Sequence, residues 1–108
     1  MEYRKITAID RSECFGSVEH GLQSHGIRGE CISRLKGYGE STNLYLDDWL
    51  LGHPRVEIFT TVDKTHAIID IIMNTAHTGV AGDGIVAVLP VERIYRIRTK
   101  QPAQPEEL

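Results

Sequence analysis

The stretch TGVAGDG, Thr78 to Gly84, runs straight into the apolar run Ile85 to Leu89, and it constrains this chain more than any other feature. Three glycines and one acid within seven residues demand a tight, backbone-rich loop. Glycine permits positive φ and lets a backbone N–H approach an anion closely. Pro90 and Glu92 interrupt the apolar run, and Arg96 and Arg98 then alternate with Ile94 and Ile97. The planar guanidinium fork suits phosphate or carboxylate. A glycine loop followed by paired arginines therefore suggests an anionic ligand such as a nucleotide. The same pattern fits a hairpin loop before an edge strand with a solvated basic face. Local chemistry leaves both open.

The 108 residues fit a single domain. We expect that domain over residues 1–100, with a long loop at 37–54 and a disordered tail at 101–108, where QPAQPEEL is proline-rich and acidic. A net charge of −3 argues against nucleic acid as the main partner, because phosphate backbones need clustered positive charge. No apolar stretch approaches the ~20 residues of a membrane span, so no membrane insertion is expected. The opening residues MEYRKITAID alternate and carry charge, unlike a signal peptide. Cys14 and Cys31 lack metal-type spacing. A reduced, cytoplasmic protein is the expectation.

Tyr3 to Ile9 alternates as a strand does. Asp10 or Ser12 can cap a helix over about Glu13 to Ser24, with Cys14, Val18 and Leu22 on one face and His25-Gly26 as its end. Gly29 to Lys36 reads as a second strand, broken by Gly37-Tyr38-Gly39. Arg55 to Val62 is rich in Val, Ile, Phe and Thr, and predicts a third. Asp63 is a candidate cap for a helix whose apolar face runs from His66-Ala67-Ile68-Ile69 through Met73 to Ala76. Strands are expected at Ile85 to Leu89 and, shorter, at Arg93 to Arg98. The order β-α-β-β-α-β with right-handed crossovers gives an α+β, ferredoxin-like antiparallel sheet with helices on one face. Its other face is open, so burial by oligomerisation is expected.

These residues together resemble the PII signal-transduction family over nearly the whole chain, to about Thr99. The most specific matches are LKGYG at Leu35 to Gly39, TAHTGVAGDG at Thr75 to Gly84, PVE at Pro90 to Glu92 and RIRT at Arg96 to Thr99. The resemblance implies a trimer of ferredoxin-like subunits that binds ATP, ADP or AMP in the clefts between subunits. Such a protein would report metabolic state to a target such as a transporter or metabolic enzyme, by changing the conformation of its T-loop. No covalently bound cofactor is implied, and magnesium stays an open question.

By the same resemblance, Gly37 and Gly39 start the T-loop beside the phosphates. Thr78, Gly79, Gly82, Asp83 and Gly84 form the B-loop, whose amides cradle phosphate. Arg96 and Arg98 reach the phosphates from the neighbouring subunit. Gly29 and Thr61 lie beside adenine and ribose, and Arg55 stands where the family usually has a lysine. Departures are equally informative. Glu40 and Ser41 replace a basic residue and the glutamine that helps to place magnesium and 2-oxoglutarate; Ser41 is counted with the nucleotide site. Ile85 replaces a lysine, which weakens γ-phosphate binding. The T-loop is several residues short, keeps Thr42-Asn43-Leu44-Tyr45, and has no second tyrosine near Asp48 and Trp49. The chain therefore resembles a divergent PII-like regulator, with a small anion such as bicarbonate as a candidate second ligand.

The remaining chemistry is sparser. His20, His25, His53, His66 and His77 are scattered, and no metal site is expected. Trp49, in a polar loop, either anchors a target or packs on the parent oligomer. The alternative function is a slow ATPase or an acyl-phosphate hydrolase on the same fold. The hydrolase would need an arginine and an asparagine in the first β-α loop, and Asp10-Arg11-Ser12 only partly fits.

Overall fold

A computed structural model describes residues 2–27, 32–36 and 54–108. Strand β1 (Tyr3–Ile9) leads through a 3-10 turn (Ser12–Cys14) into helix α1 (Phe15–Ser24). Strands β2 (Ile32–Lys36) and β3 (Pro54–Thr61) follow, then a second 3-10 turn (Val62–Lys64) and helix α2 (Thr65–Ala76). Strand β4 (Ile85–Val91) completes a four-stranded sheet of order β2-β3-β1-β4, and every pairing in it is antiparallel. This is the ferredoxin-like α+β arrangement that the element order predicts.

Both helices pack on the same face of the sheet. Ile6 and Ala8 of β1 and Val56 and Ile58 of β3 form one core with Val18 and Leu22 of α1 and Ile68 and Ile72 of α2. Each large side chain buried there contributes about 1.5–3 kcal/mol. Cys14 packs against this core from the start of α1. Burial first, then the nearby Glu13 and Asp10 charges, push its thiol up from 9.0, so it stays protonated at neutral pH. The close of α1 is as the sequence predicts. Gly26 takes φ +84°, its amide returns to the Gln23 carbonyl, and the Ile27 amide returns to that of Leu22. That pattern is a Schellman cap, with Ile27 folding onto the core beside Leu22.

The opposite face is open among the described residues. Lys5 of β1 stands level with Phe59 of β3 and Leu89 of β4, and Thr7 stands level with Glu57 and Ala87. Lys5 Nζ pairs with Glu57 Oε2 at 3.2 Å and lies 5.8 Å from the Phe59 ring centre. Phe59 and Leu89 remain substantially exposed.

Four expectations need correction. Neither helix has a side-chain N-cap: each is entered through a 3-10 turn, so Cys14 and Lys64 take the cap positions instead of Asp10, Ser12 or Asp63. On α2 the buried stripe is Ile68, Ile72 and Ala76, at helical spacing, while His66 and Met73 face outward. The strand expected at Arg93 to Arg98 is cut to β5 (Tyr95–Arg96), because the chain turns at 97–100 and the Lys100 amide returns to the Arg96 carbonyl. Lastly, the tail at 101–108 is packed. It forms β6 (Gln101–Pro102) against β5 and a 3-10 turn (Pro105–Glu107), with Ala103 buried and Leu108 against the core. Its prolines fall where they cost no ladder donor and open a turn, which composition alone does not show.

Candidate functional site

The loop between α2 and β4 is built around one carboxylate. Asp83 accepts hydrogen bonds from the amides of Thr78 (2.9 Å) and Gly79 (3.0 Å) and from the Thr78 hydroxyl. Arg11 Nε approaches its other side at 3.3 Å. The Thr78 hydroxyl first, then the Thr78 and Gly79 amides and Arg11, hold the Asp83 carboxyl far below its ordinary 3.8. A second guanidinium nitrogen of Arg11 donates to the Ala81 carbonyl at 2.6 Å and reaches that of Val80 at 3.5 Å. The loop is thus tied to the end of β1 by an arginine and folded on itself by an aspartate.

Glycine is required where this loop meets the sheet. Gly84 has φ +108°, and a Cβ built there would lie 1.8 Å from the Ile9 carbonyl oxygen. Gly82, at φ +100°, leaves room for the Arg11 guanidinium, which a Cβ would meet at 3.1 Å. Beside the loop lies an apolar recess of about 400 Å³, walled by Met73, Ala76, His77, Asp83, Ile85 and Val86 among others.

The residues expected from the sequence fall into two groups at opposite ends of the sheet. Thr78, Gly79, Gly82, Asp83 and Gly84 stand at the end where Ile9 pairs with Ile85. Arg55 is exposed at this same end, level with Ile9 on β1. Thr61 is buried at the other end, where it pairs with Tyr3. Arg96 lies at that end too, just beyond Val91, which also pairs with Tyr3. Its Nε donates to Glu107 Oε2 at 2.8 Å. Arg98 is exposed in the turn after β5. Seven paired residues separate the ends, a span of about 20 Å. Gly29, Gly37, Gly39 and Ser41 lie outside the described residues, as do Trp49 and the loop from Glu40 to His53.

Arg11 is the residue that sequence reasoning undervalued. The register pairing Ile9 with Ile85 carries on past the strand ends and sets Arg11 opposite Asp83. Opposite charges at positions continuing an antiparallel ladder were the available signal.

Comparison with known proteins agrees with this architecture. Residues 3–101 match the family model for the nitrogen regulatory protein P-II. A nitrogen regulatory protein P-II from Pasteurella multocida is 37% identical over 106 residues, covering 89% of this chain and 92% of that protein. A homologue from Oryza sativa is 31% identical over 114 residues. The chain covers 98% of its own length in that match but 54% of the rice protein, and 58% of the Arabidopsis thaliana homologue. Among solved structures, Arabidopsis thaliana PII bound to citrate superposes with a TM-score of 0.76 at 30% identity, covering 95% of this chain and 90% of that one. With its β-α-β-β-α-β sheet, its Thr78–Gly84 loop and these matches along nearly its full length, the chain belongs to the nitrogen regulatory protein P-II family.

Proposed function

We propose that this family member is a regulator that binds adenine nucleotides between the subunits of a homotrimer and passes their occupancy to a target protein through the loop at 37–54. One observation carries the reading. The anion-suited glycine loop and the arginines Arg96 and Arg98 sit about 20 Å apart within one chain, so a ligand held by both needs a second copy. Exposed apolar side chains on β4 (Ile85, Val88, Leu89) and just beyond it (Tyr95, Ile97) offer that copy a surface to cover. In this reading the phosphates meet Gly37, Gly39 and the Thr78–Gly84 backbone of one subunit, and Arg96 and Arg98 of the next. The apolar recess beside the loop has the composition of a site that holds an organic ligand next to its anionic group.

Asp83 fixes the loop by consuming the Thr78 and Gly79 amides itself, so the phosphate contacts fall to the remaining backbone. Ile85 offers no charge to a γ-phosphate, which favours ADP and AMP at the expense of ATP. A small anion is the second ligand in this reading, with bicarbonate the leading candidate. The citrate bound to the Arabidopsis relative supports a carboxylate anion as a ligand on this fold. The target is a transporter or metabolic enzyme.

Regulation is favoured over hydrolysis by Arg11. An acyl-phosphate hydrolase would need that arginine free for substrate, and here it holds Asp83 and the Ala81 carbonyl. Calorimetric titration with ADP, AMP and ATP, with and without magnesium, tests the reading beside light scattering. A trimer that binds ADP or AMP at least as tightly as ATP is expected. A monomer, or a trimer without nucleotide heat, overturns it.

A further inference from the structure

The C-terminal segment lies across the arginine end of the sheet, and it carries its own anion. The Tyr3 hydroxyl donates to the Ala103 carbonyl at 3.0 Å, and the Ala103 amide donates to Ile94 at 2.8 Å. Lys64 Nζ donates to the Leu108 carbonyl oxygen. These three contacts hold the segment so that Glu107 meets Arg96 Nε at 2.8 Å. We infer that Glu107 is an internal competitor for the nucleotide's phosphates: its carboxylate holds Arg96, and a bound nucleotide takes that arginine over. The inference rests on the nucleotide reading above, which assigns Arg96 to phosphate.

The physical case has two parts. A carboxylate and a phosphate oxygen offer a guanidinium the same acceptor geometry, so both cannot hold Arg96 Nε at once. The pair is also reversible by design, because each side chain keeps 37% of its surface exposed. An ion pair that wet is weak, of the order that a two- to fivefold change in affinity reports. A phosphate group carries more charge than the carboxylate and displaces it, while the anchors at Ala103 and Leu108 hold the segment nearby.

The test is calorimetric titration of ADP into the wild type and three variants of the full chain. Glu107→Gln removes the carboxylate charge from beside Arg96 Nε and should tighten ADP by about two- to fivefold. Glu106→Gln removes the same charge from an exposed neighbour and should change affinity far less. Arg96→Ala should weaken ADP tenfold or more. Equal tightening by both glutamine variants would reduce the effect to net charge and overturn the inference. Unchanged or weaker binding in Glu107→Gln, with Arg96→Ala still impaired, would overturn it while sparing the nucleotide reading, because Glu107 would then be neutral or a support for Arg96. Full affinity in Arg96→Ala, or no ADP binding in the wild type, would sink the nucleotide reading and the inference together.

Discussion

The two ends of the sheet solve the same problem differently. At the glycine-loop end, order is local: Asp83 binds amides four and five residues back, and a more distant partner, Arg11, arrives from the adjacent strand end. At the arginine end, order comes from afar, because residues 103–108 return to Tyr3, Lys64 and Arg96. A loop closed on itself keeps its shape whether or not a ligand is present. A segment held by a few half-exposed contacts can be exchanged for one. In the proposed reading, the difference assigns a rigid half and a responsive half of one nucleotide site to opposite ends of the sheet, to be joined by a second copy.

The strongest way to break that comparison is at the rigid end. Gly84→Ala drives a methyl into the Ile9 carbonyl at positive φ, and should cost on the order of 3 kcal/mol or more in urea unfolding. Gly16→Ala, in open space within α1, should be neutral or slightly stabilising in the same assay. At the responsive end, Arg98→Ala should weaken ADP by roughly 1.5–3 kcal/mol without altering stability, measured by calorimetry beside thermal melts. Equal losses of stability and affinity there would mean that the exposed arginine is structural.

Two smaller effects sharpen the contrast. Arg11→Ala should cost about 1 kcal/mol and speed hydrogen exchange at Thr78 and Gly79. Asp83 adds a pH signature. Its folded carboxyl lies below its ordinary 3.8, so its stabilising contribution is complete above about that pH and is lost as pH falls further, through the folded value. Asp83→Asn should flatten that acid limb and leave neutral behaviour destabilised but level. An unchanged acid limb would show that other carboxylates govern it. A comparable effect at the other end belongs to Tyr3→Phe, which removes one hydroxyl bond to Ala103 and should cost about 0.5–1.5 kcal/mol. Faster exchange confined to residues 101–108 would mark that end as the separable one.

How much could be read from the residues follows the same division. The four strands of the main sheet, both helices, the Gly26 cap and the antiparallel β-α-β-β-α-β arrangement were legible, because alternation, helical spacing and glycine act over a few residues. The glycine loop was legible as a loop for the same reason. Its internal wiring was less so, since Arg11 and Asp83 meet only through the β1–β4 register. The packed tail was misread because Pro102, Pro105 and the two glutamates suggest disorder, while two of its anchors are single contacts with Tyr3 and Lys64, more than forty positions away in sequence. Helix entry was misread because 3-10 turns shifted each cap position past the acids that seemed suited to it.

Strand β4 deserves one last thought about how such a chain survives its own synthesis. It is an edge strand with Ile85, Val88 and Leu89 substantially exposed, a ready template for aggregation between newly made chains. Pro90 sits near its far end and has no N–H to offer an incoming strand or ladder. A proline at that place in an edge strand limits the ladder that a stray strand could extend along β4.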